Sequence, residues 1–344
     1  MKPTTAKKKK INLALQGGGA HGAFTWGVLD RLLEVDDLVI EGISATSAGS
    51  MNAVVLAQGM MQGGHEGAKK LLYEFWHAMS DYGKLFDPSI YVPFENLLLP
   101  YLKTPVSYSI FNTITNLFSP YEFNPFNFHP IRDVLEKMID VESLKKNCKI
   151  KLFICATNVQ TGKIRIFNED ELSINVILAS ACLPHLFQAV EIDHHFYWDG
   201  GYLGDPAIFP LIYETNVLDI MVVHVVPVMR YHIPTTVAEI DTRLREISFN
   251  SSLMRELRAI AFVSKLIDKG WIKKEFKHQL KKLRMHCMIA DDAMGQFSLA
   301  SVYSPNWDFL LELHALGREV ADNWLKNNYH HIGKKGTVNF NDWL

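Results

Sequence analysis

Short apolar runs alternate with longer amphipathic segments along most of the chain. Short runs that are apolar throughout are typical of parallel strands buried on both faces, and the amphipathic segments are typical of the helices that cover them. The short runs predict strands near 11–16, 38–44, 149–157, 163–167, 189–192 and 219–226. The longer segments predict helices over 22–34, 49–59, 65–80, 130–139, 172–180, 206–214, 253–284 and 307–327. We therefore expect an α/β protein with three layers, α/β/α, around a mainly parallel central sheet.

The composition is that of a globular protein with a large core. The chain has 344 residues, 48% of them apolar, and its formal charge is −2. A balanced charge gives no general attraction to nucleic acid, so we expect no nucleic-acid partner. The cysteines Cys148, Cys155, Cys182 and Cys287 share no short spacing. We expect free thiols in a reducing compartment rather than disulfides or a metal site.

The N-terminal lysines, Lys7 to Lys10, precede a short apolar run and glycines rather than the long apolar core of a secretory leader. The stretch 97–118 is interrupted by prolines and a lysine, and it falls short of a membrane span. We expect a cytoplasmic protein, soluble or peripheral at membranes, while export by a system that reads no apolar leader stays open. Residues 1–10 are predicted to be a basic flexible tail, 11–328 a single domain and 329–344 a C-terminal tail.

Two segments differ from the rest in composition. Between Leu85 and Phe128 there are eleven aromatic residues and four charges, with six prolines among them. This insertion fits either a satellite core or a cap that meets lipid. The predicted helix 253–284 holds ten Lys or Arg residues and three acids. It fits either a packed helix with a solvated face or a surface for anionic headgroups.

Glycines follow the first predicted strand, and a serine follows the second. The glycine segment is Gly17-Gly18-Gly19-Ala20-His21-Gly22, and the serine segment is Ala45-Thr46-Ser47-Ala48-Gly49. Backbone N–H groups of a glycine loop that enters a helix bind negative charge. A serine at a sharp turn from strand to helix, flanked by small residues, is typical of a nucleophile. We interpret Gly17, Gly18 and Gly19 as an oxyanion hole and Ser47 as the nucleophile.

The glycine loop also fits a dinucleotide fingerprint, because Gly17, Gly19 and Gly22 have the required spacing. That interpretation needs an acid at the end of the second strand to bind a ribose. Asp36 and Asp37 precede the strand instead, and its end carries the serine. The spacing of the acids therefore favours the oxyanion interpretation.

A serine hydroxyl needs a base before it can attack an ester. The best candidate is Asp199, which follows a predicted turn and precedes Gly200 and Gly201. An Asp-Gly-Gly sequence on its own is more often a turn than a site. The significance of Asp199 comes from the serine and the glycine loop elsewhere in the chain.

These three motifs, in this order, resemble the patatin-like phospholipases, particularly the bacterial ones. The resemblance spans about 11–328 and also includes the segments Ala156-Thr157-Asn158, Ala179-Ser180-Ala181-Cys182-Leu183-Pro184 and Gly317-Arg318. It implies a Ser-Asp dyad of Ser47 and Asp199 that works without histidine. Three positions depart from the family pattern: Ala45 replaces glycine, His21 replaces Arg or Lys, and Asp205 replaces a frequent Asn. For His21 we favour a packing or hydrogen-bonding role over titration in the site.

The resemblance implies a lipid acyl hydrolase of the phospholipase A or lysophospholipase type, acting through an acyl-enzyme. The substrate would be a phospholipid or another acyl lipid at a membrane surface, and the chemistry requires no metal or cofactor. The sequence does not identify a protein partner. Two alternatives stay open. One is a Ser-His-Asp carboxylesterase that uses one of the 14 histidines, and the other is a non-catalytic lipid-binding module on the same fold.

Overall fold

The strands form one mixed, mainly parallel sheet in the part of the chain that the computed structural model describes, residues 8–85, 117–273, 275, 280–297 and 299–343. The strands are β1 Lys9–Leu15, β2 Leu38–Thr46, β3 Lys151–Asn158, β4 Lys163–Asn168, β5 Val190–Ile192, β6 His195–Asp199, β7 Asp219–Val223 and β8 Arg284–Met288. Their order is β5-β6-β3-β2-β1-β7-β8, and β4 also pairs with β3. Neighbouring strands are parallel along the series β3, β2, β1, β7 and β8, whereas β4, β5 and β6 form antiparallel pairs.

Helices cover both faces of the sheet. They are α1 Gly22–Leu32, α2 Ala48–Leu85, α3 Pro120–Phe123, α4 Pro130–Met138, α5 Val141–Asn147, α6 Ile174–Ser180, α7 Phe209–Glu214, α8 Val237–Asp268, α9 Asp291–Met294 and α10 Trp307–Asn328. Side chains point alternately to the two faces of a strand. Accordingly, Leu13 and Leu15 of β1 join a core with α1, α2 and α10, whereas Ala14 joins a core with α7 and α8. The predicted three-layer α/β/α fold is confirmed.

The helix starts follow from local hydrogen bonds. Thr236 caps α8 by accepting the N–H of Glu239, whose side chain accepts the Thr236 N–H in return. Asn306 caps α10, and Ser173 caps α6. α2 is broken at Gly63 and Gly64, which have non-helical backbone angles. The predicted helices 49–59 and 65–80 are therefore the two halves of α2.

The chain crosses over beside β1. It runs from β1 to β2 and β3 on one side, and returns to β7 and β8 on the other. In open parallel sheets, ligands bind at the carboxyl ends of the strands where the direction of winding changes. The glycine segment follows β1 and Ser47 follows β2. The fold therefore brings both motifs to this edge.

The structure differs from the sequence prediction at both ends and in the basic segment. Lys9 and Lys10 belong to β1 rather than to a tail. The predicted helix 253–284 is wrong in its bounds, because α8 covers 237–268 and β8 begins at Arg284. Residues 329–343 pack on the domain, since the N–H groups of Thr337 and Val338 both donate to the Met285 carbonyl. Most of the insertion 85–128 lies outside the described residues, which resume at 117.

Candidate active site

Strand β3 aligns the ends of β2 and β6. Thr46, the last residue of β2, pairs with Cys155, and Asp199, the last residue of β6, pairs with Ala156. Cys155 and Ala156 are consecutive in β3, so the C-terminal ends of β2 and β6 lie at the same level on opposite sides of β3. Ser47 and Asp199 are thereby brought together, and the proximity of the Ser47 side chain lowers the pKa of the Asp199 carboxyl group.

Ser47 occupies a strained turn. Its φ is 54°, in the left-handed region that few non-glycine residues adopt. The turn is held at both ends, because the Ser47 N–H donates to Ser180 Oγ at 3.0 Å and its carbonyl accepts from the Ser50 N–H at 2.9 Å. Ser47 itself is only partly buried between buried neighbours. Strain of this kind persists where the surrounding structure fixes it, which is typical of functional sites.

Gly49 and Ala45, the small residues on either side of Ser47, are each explained by a different feature of the structure. A Cβ on Gly49 would lie 2.4 Å from the Leu15 carbonyl oxygen, so only glycine lets α2 start this close to β1. Ala45 lies in regular β2 and is fully buried. Its methyl group is accommodated there, and the departure from the usual glycine leaves the turn intact.

Asp199 is buried but hydrogen-bonded. Its side chain is 1% exposed, and Oδ1 accepts the Gly201 N–H at 2.7 Å. Its backbone is fixed by the Cys182 carbonyl and the Thr157 hydroxyl. Burial raises the pKa of Asp199 to about 7, although the bonds from Gly201 and Ser47 oppose the shift. A carboxylate of this basicity can accept a proton near neutral pH.

Close packing explains the glycines that follow Asp199. A Cβ on Gly200 would lie 2.4 Å from the Cys155 carbonyl oxygen, and one on Gly201 would lie 2.3 Å from the Phe249 ring. Phe249 belongs to α8, and α8 therefore packs against the Asp199-Gly200-Gly201 turn. The two glycines allow Asp199 to approach β3 and α8 at once.

The glycine loop presents its N–H groups unequally. The buried Gly17 donates its N–H to Asp205 Oδ1 at 2.7 Å. Gly18 and Gly19 are partly exposed, and no hydrogen bond to another described residue engages their N–H groups. Gly18 has φ 150° and Gly19 has φ 56°, which are values that favour glycine. Of the three predicted oxyanion donors, Gly17 is thus engaged by Asp205, whereas Gly18 and Gly19 donate their N–H groups to no other described residue.

His21 packs behind the loop. It is 7% exposed, its Nε2 lies 2.7 Å from Ser301 Oγ, and its ring contacts Phe297 and Phe309. Burial lowers the pKa of His21 to about 4, so the ring is neutral at physiological pH. The contacts are those of a residue that positions the loop, as the sequence interpretation favoured.

Other histidines are engaged elsewhere. His224 contacts Asn250, His286 contacts Asp219, and His314 lies beside Asp30. No hydrogen bond joins Ser47 to any histidine that the structure describes. Within those same residues, no cluster of His, Cys, Asp or Glu has the arrangement of a metal site, and no helix is long and apolar enough to cross a membrane.

The motif analysis did not assign roles to Ser180 and Asp205. Ser180 holds the turn at Ser47, and Asp205 holds Gly17. The available signal was the family resemblance, because Ser180 lies in a segment that carried it and Asp205 is a position that departs from its pattern. Their partners are 133 and 188 residues away in sequence, however, so no local pattern identifies the contacts.

A family model for the patatin-like phospholipases matches residues 13–212. The match covers more than half of the chain and contains the serine, the aspartate and the glycine loop, and the chain belongs to this family. The resemblance read from the sequence is thereby confirmed. Membership supports a lipid hydrolase as the class of protein.

Solved structures of two bacterial proteins are similar to the chain. VipD from Legionella pneumophila is 16% identical with a TM-score of 0.34, over 90% of this chain and 67% of VipD. A chain of the ExoU–SpcU complex from the Pseudomonas aeruginosa type III secretion system is 16% identical with a TM-score of 0.32, over 95% of this chain and 64% of that one. The chain thus spans about two thirds of their length. No curated protein matches the sequence.

Proposed function

We propose that this protein hydrolyses fatty-acyl esters of phospholipids through a Ser47–Asp199 dyad and an acyl-enzyme. The observation that carries the proposal is that the register of β2, β3 and β6 brings Ser47 beside the buried carboxyl group of Asp199, whose pKa Ser47 lowers. The two residues lie at the sheet edge that also carries the glycine loop, in which Gly18 and Gly19 donate their N–H groups to no other described residue. Nucleophile, base and anion donors are the groups that acyl transfer requires.

The reaction divides into two transfers. Asp199 takes the Ser47 proton while Oγ attacks the ester carbonyl, and N–H groups of Gly18 and Gly19 stabilise the oxyanion. Collapse breaks the bond to the alcohol, which leaves with the proton from Asp199. Water then attacks the acyl-enzyme, Asp199 accepts a proton from it, and the fatty acid is released as Ser47 is regenerated.

A Ser-His-Asp mechanism has less support. That triad needs an imidazole nitrogen within hydrogen-bond reach of the serine. His224 and His314, which follow Asp199 in the chain, bind Asn250 and Asp30 instead. Burial lowers the pKa of His224 to about 4, so it would be a weak base near neutral pH. We therefore favour the dyad.

Action at a membrane surface is supported by exposed apolar side chains. The segment 117–128, which we call the aromatic segment, exposes Leu117, Phe118, Tyr121, Phe123, Phe126 and Phe128. Contiguous exposed apolar groups mark interaction surfaces. In the basic segment 253–284, two lysines are engaged within the protein, since Lys281 donates to the carbonyls of Ile212 and Thr215 and Lys282 pairs with Asp268.

Hydrolysis of defined phospholipid vesicles by wild type, Ser47→Ala and Asp199→Ala tests the proposed dyad. We expect both variants to lose essentially all activity and the double variant to be little worse, because the two residues act as a unit. Ser251→Ala is the matched control, since this hydroxyl bonds only within its own helix, to the Ser248 carbonyl. Activity above about a tenth of wild type in either single variant contradicts the dyad.

A further inference from the structure

Asp205 holds the glycine loop from behind. It is 1% exposed, and its Oδ1 accepts the Gly17 N–H at 2.7 Å. Its own backbone is fixed on two sides, because its N–H donates to Ser252 Oγ at 3.1 Å and its carbonyl accepts from Gln16 Nε2 at 3.4 Å. The carboxyl group therefore has a defined position, set by α8 and by the end of β1.

Gln16 extends this support to the segment that follows β7. Its Oε1 accepts the N–H groups of Val225 and Val226, and its Nε2 donates to Asn250 Oδ1 at 3.0 Å. A Cβ on Gly18 would lie 2.8 Å from Val225 Cγ1, so Val225 forms the wall of the loop. Asp205 and Gln16 thus fix the loop and its wall to one buried hydrogen-bond network.

The surroundings of Asp205 favour a neutral carboxyl group. Its Oδ2 is buried without a hydrogen-bond partner, and it forms no ion pair with any lysine or arginine that the structure describes. The titratable groups that interact with it are Asp199, the last residue of β6, and Cys155 in β3, and Cys155 in turn interacts with Glu256 of α8. Burial raises the pKa of Asp205 well above its usual range, and the nearby Asp199 raises it further.

A neutral carboxyl group still accepts a hydrogen bond through its carbonyl oxygen. It can therefore hold the Gly17 N–H without placing a second negative charge beside Asp199. A charge there would also oppose the oxyanion that forms next to Gly18 and Gly19. In this respect a protonated aspartic acid is equivalent to an asparagine of the same shape.

We propose that Asp205 is a positioning residue that, as a neutral hydrogen-bond acceptor, fixes Gly17 so that the N–H groups of Gly18 and Gly19 face the reacting carbonyl. This inference rests on the proposed hydrolase function. It assigns Asp205 no contact with substrate, so its effect passes through the loop.

Two substitutions separate this role from a charged or merely structural one. Asp205→Asn keeps an acceptor in place, and we expect kcat within about threefold of wild type at neutral pH. Asp205→Ala removes the acceptor, and we expect kcat to fall on the order of 10²-fold with little change in KM, as for a misplaced oxyanion donor. Asp219→Ala is the matched control, because it removes another buried aspartate that binds Arg284 and His286 away from the loop.

The rate of amide hydrogen exchange measures how firmly the glycine loop is held, and this measurement does not depend on catalysis. We expect Asp205→Ala to speed exchange in the peptide that contains Gly17–Gly19, while Asp205→Asn and Asp219→Ala leave it near wild type. If Asp205→Asn is as inactive as Asp205→Ala, or if Asp205→Ala exchanges and turns over like wild type, the proposal is overturned. If wild type cleaves no phospholipid, the proposed function fails, and the exchange pattern alone decides whether Asp205 positions the loop.

Discussion

A single buried carboxyl group sets the expected pH dependence at the residue scale. The pKa of Asp199 is raised to about 7 by burial, and only the deprotonated form can accept the Ser47 proton. We expect kcat to rise with pH through about 7 and to fall roughly tenfold per unit below it. Rates on a soluble short-chain ester from about pH 5 to about pH 9 measure this. A flat profile with the protein folded throughout would argue against Asp199 as the base.

The raised pKa of Asp199 also lowers the stability of the folded protein at neutral and alkaline pH. In the unfolded chain an aspartate loses its proton near pH 4, whereas Asp199 in the folded protein keeps it to about pH 7. The folded state thus binds more protons in this window, so its stability falls as pH rises from about 4 to 7 and stays lower above it. We expect Asp199→Asn to stabilise the fold by roughly 2–4 kcal/mol at pH 8. Thermal unfolding at pH 8 and near pH 4 tests this, since the difference should vanish at the lower pH.

Individual residues could be predicted as far as local chemistry identifies them. Ser47, Asp199 and the glycines were found because each lies in a short segment of recognisable type. Gly17 shows the limit of this approach. Which glycine N–H groups are free depends on Asp205, and that contact forms only when distant segments pack.

At the scale of elements, the glycine loop is restricted by backbone and packing together. Gly18 has φ 150°, and a Cβ there would lie 2.8 Å from Val225 Cγ1. We expect Gly18→Ala to lower kcat on the order of 10²-fold and to destabilise the fold by about 1–3 kcal/mol. Adding Val225→Ala relieves the contact but not the backbone strain. Recovery of stability without recovery of kcat in the double variant would support a catalytic loop, whereas normal turnover per folded molecule in Gly18→Ala would remove it from the site.

Helices α1 and α10 cross at a pair of glycines. A Cβ on Gly27 would lie 2.0 Å from the His314 carbonyl oxygen, and one on Gly317 would lie 2.1 Å from the Phe24 carbonyl oxygen. We expect Gly27→Ala to force the helices apart and to lower stability by about 3 kcal/mol or more. Gly63→Ala is the control, because a Cβ there meets nothing within 4 Å. Denaturant unfolding of both variants checks this, and equal midpoints would show that the crossing is not tight.

The elements that were predicted well are those whose apolar runs are continuous. β1 and β2 fall close to their predicted bounds because central parallel strands are buried on both faces. β8 was missed, since Arg284 and His286 interrupt its apolar pattern. In the fold, Asp219 of β7 pairs with both Arg284 and His286, and this pairing allows a polar strand into the sheet.

At the scale of the whole molecule, the aromatic segment is the exposed apolar surface we expect to meet lipid. Phe126 is 95% exposed and Phe118 is 52% exposed. We expect the double variant Phe118→Ser, Phe126→Ser to bind vesicles at least about tenfold more weakly. Each substitution removes the favourable free energy of transferring an aromatic ring from water to lipid. Tyr213→Ser is the control, as Tyr213 is 75% exposed on α7, across the sheet. Equal binding by the two variants in vesicle sedimentation would place the lipid contact elsewhere.

The position of β1 in the sheet also determines when the protein can become active during its synthesis. β1 is made first, but one of its two neighbours is β7, and the glycine loop that follows it packs against Ser301 and Val302. A ribosome has therefore translated past Val302 before the loop acquires its supports. We expect nascent chains stalled before these residues emerge to carry Ser47 without a completed oxyanion hole. A lipid hydrolase organised in this way stays inactive until the segment that contains Ser301 and Val302 has emerged from the ribosome.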